Sequence, residues 1–557
     1  MKNKQNILRT LFFIFIVSIQ IAVCIHYVNT KHNLFIDEIW TFNLSNSYFN
    51  PFLDSNKEYM NHWIDSKSLF QSLTVRPGEE FSYDSVFYNQ AKDVHPPLYY
   101  MLIHTICSFY PEQFSIWFGV IPNLIFFIAT QVILLKTSDK LFNNKWISIL
   151  PCLLYGFSWG AINTVIYIRM YMMLTFFCVL SFYMHLLLFE YYTTNKNLNK
   201  NYLLSIFIIT ILGFLTQYYY IIFAFFLSVF YYLWLHKNTE KKFAVKYATI
   251  VIGGIITGIL IFPAFLQQLF RGYRGTEAAR NLLKSNLEVR LEKFIEIINM
   301  DIFGNSLGLI LVLFSLCCLI KLIQTFCEIS INNSNRNFCI NIKMSNLNKF
   351  QENYTFEISK NNLVFCGIIL FTTCIFLLIV KIAPFLENRY IYMLYPFLSL
   401  ILIKSYVLWF GHITRNKIIS FIMLFIIISS SFNMYNSNNI KFSFAWKNTK
   451  EIEQIINTNY PNINSIVISG NNNWHPSVSQ LLLFNKTKQT LIINQNDCDK
   501  LKKFLQPFIN KNNAVIIYIT YNVKNEKAII KNITLQSPYK SFKKLDSNHG
   551  NTYLFTK

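Results

Sequence analysis

Apolar runs of about 17–25 residues, each long enough to cross a bilayer as a helix, recur along this chain with short lysine-bearing segments between them. No other feature constrains the fold as strongly. Lipid offers no partner to backbone N–H and C=O groups, so a spanning segment must satisfy them within itself. The composition agrees: 53% of the 557 residues are hydrophobic, 17% aromatic and only 14% charged. A soluble domain carries about 25% charged residues, so an ordinary soluble enzyme is excluded, and a disordered or fibrous chain needs far fewer apolar residues. The net charge of +22 suggests nucleic acid at first sight. The lysines fall between apolar runs, however, where the positive-inside rule puts them, so the basic balance reads as topology and not as a nucleic-acid partner. The 11 cysteines are scattered, mostly inside apolar runs and without a CxxC pair, which supports neither a zinc site nor a disulfide framework.

The lysines orient the chain. A first helix at about Leu11–Val28 follows Lys2, Lys4 and Arg9 and has no small-residue cleavage site, so it reads as retained with its N-terminus inside. It delivers a polar loop over residues 30–96, which from Lys31 to His95 carries nine acidic against five basic residues, as suits an external segment. Pro97–Phe109 is apolar but short for a span, and fits an interfacial or re-entrant helix. Further spans are expected at about Ile116–Leu135, Trp146–Thr164, Ile168–Tyr192, Tyr202–Thr216, Tyr218–Leu235, Ala248–Phe265, Ser306–Leu319, Leu363–Val380, Tyr390–Trp409 and Ile418–Ser430. That makes about eleven crossings, with most lysine-rich loops inside. The exception is the outside stretch after Pro263 that holds Arg271, Arg274 and Arg280. Beyond about Lys441 the pattern changes to short β-branched runs, Ser465–Ser469 and Ala514–Thr520, separated by segments such as Ser479–Phe484. The expected architecture is thus a mainly α polytopic membrane domain over residues 1–440 and a small external α/β domain over 441–557.

Asp37-Glu38, just after the first helix, is the sharpest polar feature. Two acids at a membrane exit are either a solvated loop start or a carboxylate that abstracts a proton or holds a metal at the bilayer surface. The same loop ends in Asp93-Val94-His95-Pro96-Pro97-Leu98-Tyr99-Tyr100, where paired prolines stiffen the re-entry and His95 either caps a helix or contacts a phosphate or hydroxyl. Arg169, in the run Tyr167-Ile168-Arg169-Met170-Tyr171, starts a span on the outside, where it snorkels or faces an anionic group. Glu387-Asn388-Arg389-Tyr390 lies between two spans and is open to a local salt bridge or an anion site. Thr216-Gln217-Tyr218 marks another external turn, by default part of an aromatic belt. What strengthens each of these is convergence. The lysine count, independent of the motifs, puts Asp37, His95, Arg169, Gln217 and Arg389 on one side of the membrane, as a site for an anionic, membrane-borne substrate requires.

With these motifs in this order the sequence resembles the GT-C glycosyltransferases, and within them the protein O-mannosyltransferases and lipid A aminoarabinose transferases of the glycosyltransferase 39/83 group. The resemblance covers about Ile7 to Tyr435 and rests on Asp37-Glu38, His95-Pro96-Pro97, Arg169-Met170-Tyr171 and Arg389-Tyr390 followed by Pro396. It implies a sugar donor on a polyprenyl phosphate, transfer on the external face and inversion at the anomeric carbon. It makes Asp37 the general base with Glu38 in support, and His95, Arg169 and Arg389 the holders of the donor phosphate. Tyr171, Gln217, Tyr218, Glu387 and Tyr390 complete the expected substrate site. No cofactor is required by the resemblance, although some members of the wider class use a divalent metal. Two positions depart from it: Tyr167 stands where many bacterial relatives carry Glu, and Gln217 where they often carry His.

A transporter or flippase is the alternative from a different class, with an O-antigen ligase-type envelope protein as another. Transporters place polar residues mid-membrane in broken helices. Here the spans are nearly free of ionisable residues, with Glu190 and Lys404 near their inner ends, and the polar chemistry collects at one surface. The acceptor (protein, lipid or glycan) is left open. Richness in Phe, Ile, Asn and Lys points to an AT-rich genome and a bacterial cytoplasmic membrane with the site facing outward.

Overall fold

The structure, a computed structural model, describes residues 2–31, 33–52, 59–312, 315, 319, 327–334, 337–344, 360–410, 449–470, 475–506, 513–547 and 550–557. Among the described residues, six helices are long and apolar enough to cross a membrane. They are α1 (Lys2–Asn29), α6 (Trp117–Leu141), α9 (Tyr171–Asn195), α11 (Tyr219–Asn238), α12 (Lys241–Ile261) and α16 (Lys360–Ile382). Ile121 and Ile125 on α6, Phe225 on α11 and Ile252 and Ile256 on α12 are exposed. On a soluble protein such side chains would form an aggregating patch, whereas against lipid tails they are in their own solvent.

The run expected to cross as one helix at Trp146–Thr164 is broken. Residues Ile147–Gly156 and Trp159–Ile166 form two pieces bent by 56°, the latter being α8 (Trp159–Ile166). The break has a local cause: Ser158 leaves the helical region and its hydroxyl caps Ala161 N at 3.2 Å, starting a new helix. The next span starts at Tyr171 instead of Ile168, because residues 167–170 form a tight turn between α8 and α9. α10 (Lys200–Thr216) and the segment Tyr392–Leu408, which overlaps α17 (Tyr395–Phe410), are shorter apolar helices at expected crossings. The expected span Ser306–Leu319 is described continuously only to residue 312, and Ile418–Ser430 and the change of character at Lys441 lie outside the described residues.

Pro97–Phe109 becomes α5 (Leu98–Ser108), 11 residues long and half the length of a span. It packs with α2 (Ile36–Asn46) and α4 (Tyr83–Lys92) into a cap formed by the first loop at one end of the bundle. α13 (Ala264–Phe270) and α14 (Tyr273–Lys284) follow α12, and α15 (Leu287–Phe303) ends at Gly304, whose φ of 52° suits glycine.

The C-terminal residues build a six-stranded sheet of order β1-β5-β4-β6-β8-β7. Its centre is parallel: β4 (Asn464–Ser469) pairs with β5 (Gln489–Asn494) and with β6 (Ala514–Thr520). β8 (Gly550–Thr556) and β7 (Ser541–Ser547) extend one side antiparallel. The other edge, β1 (Trp63–Asp65), comes from the first loop, with Trp63 opposite Leu491. Strand alternation then welds the sheet to the cap. Ile466, Ile468, Ile517 and Ile519 form a core on one face, while Val467, Ile492 and Tyr518 on the other share the main core with the membrane helices. A separate hairpin, β2 (Cys327–Ser334) with β3 (Asn337–Met344), stands in the Asn/Lys-rich insert.

Candidate active site

α2 carries the two acids in its first turn, and they point to different places. Glu38 is fully buried and pairs with Lys31, also fully buried. Its oxygens further accept from Phe35 N at 2.7 Å and Ile168 N at 2.8 Å, while Lys31 Nζ donates to Ile166 O at 2.9 Å. Burial pushes the Glu38 carboxyl up and the Lys31 ammonium down, and the pair with its backbone donors opposes both. An environment of donors alone holds a carboxylate, which can only accept. Its effect is to staple the 167–170 turn onto α2. Gly119 of α6 assists, since a Cβ there would collide with Ile168.

That staple sets Tyr167 and Arg169 against Asp37. Tyr167 OH donates to Asp37 Oδ2 at 2.9 Å, and Arg389 Nη1 donates to the same oxygen. Arg389 Nη1 also lies 3.1 Å from Tyr167 OH, and Arg389 Nε pairs with Glu387 at 2.9 Å. Arg169 Nη1 donates to the Asp37 carbonyl at 3.2 Å and to Thr41 Oγ1 at 3.1 Å. Burial raises the Asp37 carboxyl, but Arg389, Arg169, the Tyr167 hydroxyl and His95 outweigh it and hold it at about 2.

His95 sits just before α5, its Nε2 3.3 Å from Arg169 Nη2 and its Nδ1 2.8 Å from Asp93 Oδ2. A guanidinium can only donate, so Nε2 accepts and Nδ1–H donates to Asp93. Burial and then Arg169 lower the His95 pKa, which agrees with a neutral ring. The 3₁₀ turn Asn388–Tyr390 presents Arg389. Behind it Asp301 of α15 accepts from Tyr395 OH at 2.7 Å, close to Gly160, where a Cβ would strike the Tyr395 ring.

These groups open into one cavity of 910 Å³. It is lined by Asp37, His95, Arg169, Tyr171, Gln217, Tyr218, Glu387, Arg389 and Tyr390, that is, by every candidate from the sequence except Glu38. Tyr171 stacks on Tyr167 with centroids 5.8 Å apart, and Tyr390 lies 5.4 Å from the Arg389 guanidinium. Tyr218 OH donates to Gln268 Oε1, and Gln217 closes the C-terminus of α10.

Several residues in or around the cavity were not among the candidates. Arg274 of α14 also lines the cavity, 4.8 Å over Phe385 and 2.7 Å from Glu277. It belongs to the arginine stretch that broke the positive-inside pattern, which was its only signal. Asp93 stood in a quoted motif without a role. Lys31 and Tyr167 gave no signal apart from proximity to Asp37-Glu38 and Arg169, although Tyr167 occupies a position where the sequence departs from the pattern it resembles. The C-terminal sheet region reaches the cavity through His475, which lines it and stacks on Trp40 at 5.4 Å, one helical turn from Asp37.

The donor set does not suit a cation. Asp37 and Glu387 both face the Arg389 guanidinium, and among the described residues no three His, Cys, Asp or Glu side chains converge. The arrangement instead offers guanidinium forks for an oxyanion beside a carboxylate that can take a proton.

No family model matches the chain, and no curated protein matches it. Among solved structures the chain is similar to ArnT from Cupriavidus metallidurans bound to undecaprenyl phosphate, with 8% identity, 98% of each chain covered and a TM-score of 0.50. The apo state of the same protein also aligns over 98% of each chain, at 10% identity and a TM-score of 0.33. With its helical membrane domain, its first-loop cap and its small C-terminal sheet, the chain has the GT-C fold of ArnT.

Proposed function

We propose that this protein is a membrane glycosyltransferase that moves a sugar from a polyprenyl-phosphate donor to an acceptor hydroxyl. The observation that carries the reading is the placement of the Asp37 carboxylate beside Arg389 and Arg169 in one cavity at the capped end of the bundle. The ArnT structure of the same fold holds undecaprenyl phosphate, which supports a lipid phosphate as the partner. Polar chemistry gathered at one end of the bundle favours this reading over a transporter.

In the proposed reaction Asp37 accepts the proton of the acceptor hydroxyl, whose oxygen forms a bond to the anomeric carbon. The bond from that carbon to the phosphate oxygen breaks, and its electron pair leaves with the polyprenyl phosphate. A single displacement of this kind inverts the anomeric centre. The leaving group is already a phosphate, so its departure needs charge neutralisation more than a strong acid, and arginine forks supply it. Arg389 holds the phosphate with Arg274, the other guanidinium over Phe385. Arg169 and His95 act one step back: His95 accepts from Arg169, and Asp93 orients His95. Glu38 positions the turn that carries Tyr167 and Arg169. Trp40 and His475 form the wall on the acceptor side, which gives the C-terminal domain a part in acceptor binding. The lysine pattern supports an outward-facing site, and the mechanism routes no step through a metal or other cofactor.

The test is purified protein in lipid with a panel of radiolabelled polyprenyl-phosphate sugars and a membrane extract, wild type beside Asp37→Asn. Label should move to an acceptor only with wild type, with the rate falling at least about a thousandfold in the variant, as loss of a base together with its positioning does. Folded wild-type protein that binds none of the donors would sink the reading.

A further inference from the structure

Every guanidinium in the cavity already faces an anionic partner or a group bonded to one. Arg389 bonds Asp37 through Nη1 and forms an ion pair with Glu387 on its Nε side, Arg274 bonds Glu277, and Arg169 lies on His95, itself bonded to Asp93. A lipid phosphate brings further negative charge into this matched set. For Arg389 to take it with its Nη groups, the pair with Asp37 has to open.

The Arg389–Asp37 pair is the one built to open. Arg389 is anchored on its other edge, through Nε to Glu387 and through the neighbouring rings of Phe385 and Tyr390, so its Nη groups can turn without the side chain losing its place. Asp37 is the more accessible partner, with 29% of its side chain exposed against 8% for Arg389. Once released it keeps the Tyr167 hydroxyl as a hydrogen-bond donor. We propose that Arg389 is an exchangeable clasp, which holds Asp37 until a polyprenyl phosphate arrives and then moves to the phosphate, freeing Asp37 to accept the acceptor's proton.

This deepens the glycosyltransferase reading and rests on it. One exchange of partners does two things: it neutralises the leaving group and it arms the base. While clasped, Asp37 is too weak a base to deprotonate a hydroxyl, since its carboxyl is held at about 2. The donor therefore binds before the acceptor can be activated, and water in the cavity is not activated without it.

The test is the affinity of full-length protein in lipid nanodiscs for decaprenyl phosphate carrying no sugar. In Asp37→Asn the clasp has no carboxylate to leave, so Kd should fall about tenfold. Glu387→Gln should not gain affinity, because Glu387 anchors Arg389 without competing for the Nη edge. Equal tightening in both variants would mean simple charge repulsion and overturn the clasp, as would unchanged or weaker binding by Asp37→Asn. Wild type provides a check that does not depend on a variant folding: the infrared carboxylate band assigned to Asp37 should shift when decaprenyl phosphate is added, and a band that stays put overturns the proposal. Wild-type binding without these effects leaves the glycosyltransferase reading standing, whereas no binding by wild type removes both.

Discussion

Asp37 and Glu38 are neighbours on the first turn of α2, yet the helix sends Asp37 into the cavity and Glu38 inward to Lys31 and the backbone of Ile168. A single pair of letters thus supplies a carboxylate that lines the cavity and the device that positions its surroundings. Because the Lys31–Glu38 pair has no solvent exposure, removing one member leaves the other charge stranded. Lys31→Ala should cost about 3–5 kcal/mol, while the double change Lys31→Met with Glu38→Gln should recover much of that. Thermal unfolding of the three proteins in one detergent decides it, and equal losses in single and double variants would deny the coupling. The acids were legible in the sequence as a pair at a membrane exit. Their division of labour was not, because it depends on which face of α2 meets the 167–170 turn.

At the scale of elements, the spans were readable from length and hydropathy, because a bilayer demands both. α5 was expected to fall short of a span, and it does. The break between Gly156 and Trp159 was less visible: the flanking residues stay apolar across it, and only the Ser158 cap marks the restart of the helix. Strand β1 is a further case. Three residues of the first loop form the edge of a sheet whose other strands lie four hundred residues further on, roughly, and no local pattern announces such a pairing. Trp63 fastens it, its Nε1 donating to Phe504 O at 2.9 Å. Trp63→Ala should loosen the first loop, and limited proteolysis should then cut within it at least about threefold faster while the membrane helices stay protected, as expected for local opening. An unchanged cleavage rate would deny that β1 holds the loop.

For the whole molecule, sidedness is the quantity that ties the lysine pattern to the site. The cap, the cavity and the C-terminal sheet stand together at one end of the bundle, and Arg9 with Asp139 and Lys140 with Glu190 pair elsewhere, at the ends of α1, α6 and α9. Single cysteines placed near His95 and near Phe484 should react with an impermeant maleimide added to whole cells, and one near Asn238 should react only after the membrane is opened. The reverse pattern would put the site on the inner side. Residue order alone specifies a bundle of membrane helices with a small α/β tail, because hydrophobic length and β-branched runs are local properties that a solvent reads directly. It also marked more than half of the cavity's polar residues, because charges at membrane surfaces stand out against an apolar background. That Arg389 grips Asp37, that Tyr167 and Lys31 stand behind the cavity and that His475 lines it followed from the packing of the chain. Those contacts join residues more than a hundred positions apart in most cases, and their partners are set by how helices pack, which no local pattern encodes.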